Sequence, residues 1–324
     1  MTVQPCVTWL MSVRNGMPYV PQTLASIAAQ TYTNHKLLVW DDCSTDGTLG
    51  ALREWIPQRI AGRIFSGRSM RLGPSLAFLV EQADSELCAR IDADDINMPD
   101  RLEKQVAFLE GHPEIGVLGA HVRVIDESGA EQEIWQYDTD EAELRWLSRW
   151  QARIPHTAVT FRRSVVLAGG NYRDVKSEDQ DLWFRLSLST GMMNYPEVLA
   201  FYRRTSTSMC GRTQDWVPAQ RQVAKDNAST LFPNINDSDE ALSLWEVTHP
   251  DQLHLPAPVK YRQLRQFDRA AALCARKAGA PDHYFTNTRA FRTQRWHLKR
   301  RIMEQLGLGP LIRLRMRMTG SGSR

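Results

Sequence analysis

The chain has 324 residues, 42% of them hydrophobic and 24% charged, with a formal net charge of +3. That suffices for one large core or two fused units, and it is an ordinary composition for a globular protein. No run approaches the roughly 18 apolar residues of a membrane span, which excludes a protein integral to a membrane. The charge is uneven. From Arg289 onward ten Lys or Arg accompany a single acid, Glu304, while the other 288 residues carry 30 basic and 36 acidic side chains. A slightly acidic body therefore bears a basic tail. The five cysteines (Cys6, Cys43, Cys88, Cys210, Cys274) are odd in number and form no Cys-x-x-Cys pair. They point to reduced thiols, a cytoplasmic protein and no zinc knuckle. With no basic n-region before the first apolar segment, no signal peptide is expected.

In chain order, Val7 to Val13 is rich in strand formers and Asn15-Gly16 breaks it. Pro18 to Gln30 has helical spacing, with Leu24, Ile27 and Ala28 on one face. Lys36 to Trp40 reads as a second strand, and Ser44 and Asp46 as caps for a helix to about Trp55. Arg63 to Ser66, Leu72 to Ala83 and Leu87 to Ile91 read as strand, helix, strand. This alternation predicts a parallel α/β sheet with its site at the carboxyl ends of the strands. A helix over Arg101 to Glu110 and a strand over Gly116 to Ile125 follow, with a turn at Glu127 to Ala130. Asp140 to Trp150 reads as a surface helix, and Pro155 to Phe161 as a strand carrying His156. A Gly169-Gly170 turn leads to Glu178-Asp179-Gln180-Asp181 and a helix in which Trp183 is a core residue. Pro196 to Tyr202 is a last strand, entering a basic loop with Arg203 and Arg204. From Asp215 the alternation stops. Ala219 to Leu231, Ser238 to Val247 and Val259 to Lys277 read as helices, and the Gly/Ser-rich Thr319 to Arg324 as disordered.

The densest chemistry lies in Arg-Ile-Asp-Ala-Asp-Asp, Arg90 to Asp95. Three carboxylates within four residues repel one another unless a cation sits among them. All-oxygen ligands favour Mg²⁺ or Mn²⁺ over zinc. If the chain is extended there, Asp92 and Asp94 leave on one side. Otherwise the stretch is an acidic turn with Asp95 or Asn97 capping the next helix. Asp179 is either a functional carboxylate or a helix N-cap. Beside it, Glu178 and Asp181 would raise its pKa through like charge.

Four segments in order give the chain a resemblance to the family 2 glycosyltransferases of the GT-A fold over about residues 5 to 210. They are Met11-Ser12-Val13-Arg14-Asn15-Gly16 with Gln30-Thr31-Tyr32, Asp41-Asp42-Cys43-Ser44-Thr45-Asp46-Gly47-Thr48, Asp92-Ala93-Asp94-Asp95 with Met98-Pro99-Asp100-Arg101, and Glu178-Asp179-Gln180-Asp181-Leu182-Trp183. Cys43 departs from the family's usual Gly or Asn. The resemblance implies an α/β, Rossmann-like mixed sheet flanked by helices, with a mostly helical C-terminal extension. Its division would be 1–110 for the nucleotide sugar, 111–214 for the acceptor and 215–324 for the extension.

The implied activity is inverting transfer from a nucleotide-diphosphate sugar, a UDP-sugar first, to a hydroxyl of a glycan or lipid-linked acceptor. By analogy the setting is bacterial surface polysaccharide biosynthesis. Ser12, Arg14 and Asp42 would hold the base, Asp92 the ribose, and Asp94 with Asp92 the Mn²⁺ or Mg²⁺. Asp179 would be the base, flanked by Glu178. Arg203 and Arg204 would close over the diphosphate or form a solvated loop, and His156 would line the acceptor site or be a half-buried strand histidine.

A sugar nucleotidyltransferase would need a Gly-rich phosphate loop near the first strand, where only Asn15-Gly16 stands. A dehydrogenase would need G-x-G-x-x-G there. A processive synthase would carry membrane spans and Q-x-x-R-W, whereas Arg292-Thr293-Gln294-Arg295-Trp296 has Arg at the first place. A non-catalytic basic binding protein is the remaining alternative, but no nucleic-acid motif accompanies the tail. Residues 289–318 suggest contact with an anionic membrane at the inner face of the cytoplasmic membrane. Phe291, Leu298, Ile302 and Leu306 fall near one helical face, with Arg292, Arg295, Lys299 and Arg300 interleaved.

Overall fold

The computed structural model describes residues 4–149, 151–206, 213–231 and 257–306. The chain divides into two compact units after Val223. The first unit begins with β1 (Val7–Val13), α1 (Val20–Ala28), β2 (His35–Asp41), α2 (Thr48–Trp55), β3 (Gly62–Ser66), α3 (Leu72–Gln82) and β4 (Leu87–Arg90). It continues through β5 (Ile96–Asn97), α4 (Arg101–Gly111), β6 (Ile115–Ile125), β7 (Glu131–Trp135), α5 (Glu141–Leu147), β8 (Thr160–Arg162), α6 (Arg163–Ala168), α7 (Glu178–Leu186) and β9 (Gly191–Arg203). Helix α8 (Thr213–Leu231) follows.

β1 is the centre of the N-terminal half, parallel to β2 on one side and β4 on the other, with β3 parallel to β2. Its side chains alternate between two layers, as period two requires. Val7, Trp9, Met11 and Val13 join Leu24, Ile27, Leu52, Leu102 and Val106. Leu10 joins Leu76, Leu79, Leu182 and Trp183 on the other face. Both faces are covered by helices, which is why these strands read as nearly continuous apolar runs.

Beyond β4 the sheet becomes mixed. β8 pairs antiparallel with β4 and β6, and β9 runs parallel to β6. The order is β3-β2-β1-β4-β8-β6-β9-β5, with β7 paired to β6 off this path. The all-parallel sheet expected from the N-terminal alternation therefore holds for four strands only.

Three local expectations change. Residues 155–161 are not one strand: His156 to Ala158 form a 3-10 turn and the strand begins at Thr160. Helix α5 is not a surface helix, because Leu144, Arg145, Trp146 and Leu147 are buried. Neither Asp95 nor Asn97 caps α4, whose N-cap position is Asp100. The Asn97 amide oxygen instead accepts from the buried Arg101 guanidinium at 2.6 Å. The proposed helix Ser238–Val247 and the 319–324 segment lie outside the described residues.

One glycine matters for the site. A Cβ on Gly73, in the first turn of α3, would meet the Arg173 carbonyl oxygen at 2.2 Å and the Glu178 Cβ at 3.3 Å. The glycine is there for close approach of α3 to the start of α7. Gly73→Ala forces those backbones apart, and the expected cost is about 1–3 kcal/mol. Chemical denaturation measures it, and an unchanged midpoint would show that the contact yields freely.

In the second unit the helices Ala257–Lys277 and Arg289–Gln305 pack together. Phe267 stacks on Phe291 at 4.8 Å between centroids, and Arg295 makes a two-pronged pair with Asp268 at 2.6 and 2.8 Å. Phe291, Leu298 and Ile302 are buried. Of the apolar face proposed from sequence for membrane contact, Phe291, Leu298 and Ile302 are thus covered by the chain itself, while Leu306 stays exposed. No helix among the described residues is long and apolar enough to cross a membrane.

Candidate active site

The site forms at the carboxyl ends of β1, β2 and β4, where an open α/β sheet leaves a crevice. The loops after β1 and β2 are tied together by their own polar groups. The Asn15 N–H donates to Ser44 Oγ (2.9 Å) and the Thr45 N–H to Asn15 Oδ1 (2.8 Å). The Gly16 N–H donates to Thr48 Oγ1 (2.8 Å) and the Met17 N–H to Asp46 Oδ2 (3.1 Å). Ser44 is therefore a loop clasp and not a cap of α2. Asp46 serves both ends, since its Oδ1 also accepts from the Thr48 N–H at 2.9 Å. Cys43 has a left-handed backbone, φ 62°, the conformation that Gly and Asn adopt most readily.

Asp42 is nearly buried. Its carboxylate accepts from Ser69 Oγ (2.9 Å), from the Met70 N–H and from Trp40 Nε1 (3.2 Å). Ser75 Oγ donates to Ser12 Oγ at 2.7 Å, and Arg14 reaches Ser69 Oγ at 3.5 Å. Ser12, Arg14 and Asp42 thus meet around one further segment, residues 66–75, which runs from the end of β3 through the loop into the first turn of α3. Sequence reasoning passed over that segment. The available signal was slight: Gly67 and Gly73 bracketing two arginines and a serine.

The acidic stretch is a turn. The strand ends at Arg90, and the Asp95 N–H donates to the Asp92 carbonyl at 3.3 Å. Asp92 and Asp94 are therefore not displayed from one face of an extended strand. The three carboxylates have different fates. Both Asp92 oxygens are held by the buried Arg90 guanidinium. Asp95 points inward, accepts from the Arg203 N–H at 2.7 Å, and is pushed well above the usual carboxylate range by burial and by Asp92 and Asp94. Asp94 is half-buried, and its carboxylate has no hydrogen-bond or ion-pair partner among the described residues. Burial, then the charge of Asp92, pushes its pKa up to about 6.

Arg203 is no solvated loop residue. It is buried, and it donates from Nε to the Asp94 carbonyl (2.9 Å), from Nη1 to the Asp126 carbonyl (3.1 Å) and from Nη2 to Gln22 Oε1 (2.7 Å). Its guanidinium also lies 4.6 Å over the Tyr19 ring. These contacts brace the Asp94-Asp95 turn from beneath. Arg204 is exposed and pairs with Glu133 at 2.8 Å.

At the start of α7, Ser177 takes the N-cap position with φ 58° and no side-chain bond. Asp179 lies inside the first turn and is not the cap, although its Oδ1 accepts from the Gln180 N–H at 2.8 Å. Burial raises its pKa. Glu178 is more deeply buried, and burial together with Asp179 pushes it up to about 8. Asp181 turns away to Arg185 (2.7 Å) and Arg173 (3.5 Å), so the expected like-charge push from it is answered by two cations.

His156 belongs to this cluster. Its Nε2 is 2.9 Å from the Tyr172 hydroxyl and its Nδ1 3.6 Å from Glu178 Oε1. Burial, with help from Arg90, drives its pKa well down, so the ring is neutral. Trp183 is core, as expected. Arg90 links the two acidic groups: its charge acts on Asp94, Glu178 and Asp179 while it holds Asp92.

The description "Glycosyl transferase family 2" matches residues 8–168. EpsE of Bacillus subtilis (strain 168), provisionally named a glycosyltransferase, is 32% identical over 206 residues, covering 61% of this chain and 72% of that protein. The chain belongs to glycosyl transferase family 2. The amylovoran biosynthesis glycosyltransferase AmsE of Erwinia amylovora is 29% identical over 198 residues, 60% of this chain and 74% of that one. Among solved structures, Staphylococcus aureus TarS 1–349 in complex with UDP-GlcNAc aligns over 92% of each chain, with TM-score 0.60 and 14% identity. Mannosyltransferase PcManGT from Pyrobaculum calidifontis, in complex with GDP-Man and Mn²⁺, aligns over 94% of this chain and 88% of that one, with TM-score 0.55 and 18% identity. These two likenesses show the GT-A fold. As a family 2 glycosyltransferase the protein is a transferase. That sets aside the sugar nucleotidyltransferase and the non-catalytic binding protein.

Proposed function

We propose that this glycosyltransferase moves a sugar from a nucleotide-diphosphate sugar, a UDP-sugar first, to a hydroxyl of a glycan or lipid-linked acceptor. The setting is surface polysaccharide biosynthesis, which is where the names of AmsE and of the Escherichia coli O-antigen glycosyltransferase WbnJ place those relatives. The observation that carries the reading is Arg90. This buried cation holds both Asp92 oxygens, and its charge also reaches Asp94 and the Glu178-Asp179 pair, which supports assigning the donor-side and acceptor-side carboxylates to one site.

The roles follow from the surroundings of each group. Ser12, Arg14 and Asp42, with the 66–75 segment, form the pocket for the base, and Asp92 lies toward the ribose. A divalent cation, Mn²⁺ or Mg²⁺, fits Asp94: the carboxylate has no protein partner among the described residues, and crowding by Asp92 penalises its charge. Among the described residues no group of three or more His, Cys, Asp or Glu could hold a metal alone. One or two carboxylates plus substrate phosphates is the usual arrangement for Mg²⁺. When bound, such an ion neutralises the charge growing on the leaving diphosphate. Arg203 acts as a positioning residue, holding the Asp94 backbone.

Asp179 takes the proton of the acceptor hydroxyl as that oxygen bonds the anomeric carbon and the bond to the diphosphate breaks. The displacement is in line and inverts the centre. Glu178, with its pKa near 8, stays protonated at neutral pH. Asp179 is the member of the pair that works deprotonated. Neutral His156, hydrogen-bonded to the Tyr172 hydroxyl and 3.6 Å from Glu178, lies on the acceptor side.

The test is nucleotide release from a panel of UDP-, GDP-, CMP- and dTDP-sugars. One or a few donors should release nucleotide above the buffer rate, and release should rise with acceptor. If no donor is turned over with any acceptor preparation, the reading fails.

A further inference from the structure

The helix Arg289–Gln305 keeps a second face that its packing does not use. Phe291, Leu298 and Ile302 are buried. One residue further along, about 100° around the helix, Arg292, Trp296, Lys299, Met303 and Leu306 follow at the spacings of a single helical face. All five are exposed. Trp296, Met303 and Leu306 are 41%, 36% and 61% exposed. They are three of the five exposed large hydrophobic residues among the described ones, the others being Met17 and Ile134. Scattered exposed apolar residues need no explanation, but a stripe does.

The charges around the stripe have one sign. Arg289, Arg292 and Lys299 flank it, and the helix's one acid, Glu304, is paired with Arg300 at 2.8 Å. The sequence beyond continues this composition, with Arg313, Arg315 and Arg317 among Leu, Ile and Met and no further acid. A second copy of the same helix would bring like charges together, which disfavours self-association through this face.

We propose that the Arg292-Trp296-Lys299-Met303-Leu306 face docks on an anionic lipid bilayer. Trp and Met enter the headgroup boundary, Leu306 follows at the helix end, and Arg292 and Lys299 reach lipid phosphates, their methylene stems lying along the apolar residues. This face keeps Arg292, Lys299 and Leu306 of the one suggested by sequence and replaces its buried Phe291, Leu298 and Ile302 with Trp296 and Met303, and it depends on neither the donor nor the base assignment.

The experiment is vesicle sedimentation of the full chain on phosphatidylcholine alone and on phosphatidylcholine mixed with phosphatidylglycerol. The wild type pellets with the mixed vesicles, stays in solution with the neutral ones, and is released as salt screens the attraction. R292E/K299E lowers the partition coefficient about 25-fold or more, taking roughly fivefold per lost basic residue. W296S/M303S leaves every charge in place and lowers it on the order of tenfold. W296F/M303L keeps wild-type pelleting, which separates loss of the face from loss of the fold. Donor hydrolysis without acceptor is unchanged in all three variants, so failure here is distinguishable from failure of the catalytic reading. If W296S/M303S pellets like the wild type, the attraction belongs to the basic chain as a whole and the docking face is wrong. Recovery of the wild type in the supernatant with mixed vesicles at low salt also overturns it.

Discussion

Asp179→Asn lowers kcat by about 10²-fold or more while donor affinity stays near the wild-type value. The substituted amide keeps the size of the side chain and can still accept from the Gln180 N–H at the start of α7. It cannot take a proton from an acceptor hydroxyl. Because Asp179 lies inside the first helical turn and does not cap α7, the substitution leaves the helix start intact. A drop in thermal stability comparable to the drop in rate would mean that its role is structural.

The pH profile adds a second reading. Burial raises the Asp179 pKa. A base works deprotonated, so kcat climbs as pH rises through that raised value and falls below it. The neighbouring Glu178, pushed up to about 8, titrates with Asp179 as a pair. Glu178→Gln removes the second titrating carboxyl. Because Glu178 already holds its proton while Asp179 titrates, the acid limb stays in place and only the inflection near 8 disappears. An acid limb that moves to lower pH in Glu178→Gln would show that Glu178 is charged beside Asp179 and overturn this assignment.

Asp94→Ala is expected to reduce transfer by about 10²-fold or more and to abolish the gain in nucleotide-diphosphate affinity that Mn²⁺ provides. Calorimetry of UDP binding with and without the metal reads this independently of turnover. The physical ground is the contrast within one turn. Arg90 holds both oxygens of Asp92, and Asp95 is turned inward to the Arg203 N–H. The half-buried Asp94 carries a charge that burial and Asp92 penalise. A cation relieves that penalty. Wild-type activity that survives excess EDTA undiminished would remove the metal from the scheme, and Asp94 with it.

Much of this protein was legible in its residues. Short apolar runs and period-3.6 patterns located β1 to β4 and the helices between them, because β1, β2 and β4 are buried on both faces and each helix buries one side. The four short segments named the family, since each lies at the end of a strand or the start of a helix where side chains enter the crevice. The sequence did not show that residues 66–75 meet Ser12, Arg14 and Asp42. That segment contributes a hydroxyl, a backbone N–H and close approach, and these leave no composition signal. Nor did it separate Asp92, Asp94 and Asp95. Identical carboxylates one and two residues apart differ only in what folds around them: the Arg90 guanidinium at Asp92, the Arg203 N–H at Asp95, and at Asp94 a partial burial that leaves its charge penalised. His156 read as a strand residue because Ala158, Val159 and Phe161 are apolar, yet contacts with Tyr172 and Glu178 hold it in a 3-10 turn.

The C-terminal helix makes the division plainest. Local spacing determined that residues 289–305 form an amphipathic basic helix. Only the tertiary structure decided that the Phe291-Leu298-Ile302 face is spent on the helix Ala257–Lys277, leaving Trp296 and Met303 exposed. The hydrophobic effect has no direction, so an apolar face records that it must be covered but not by what.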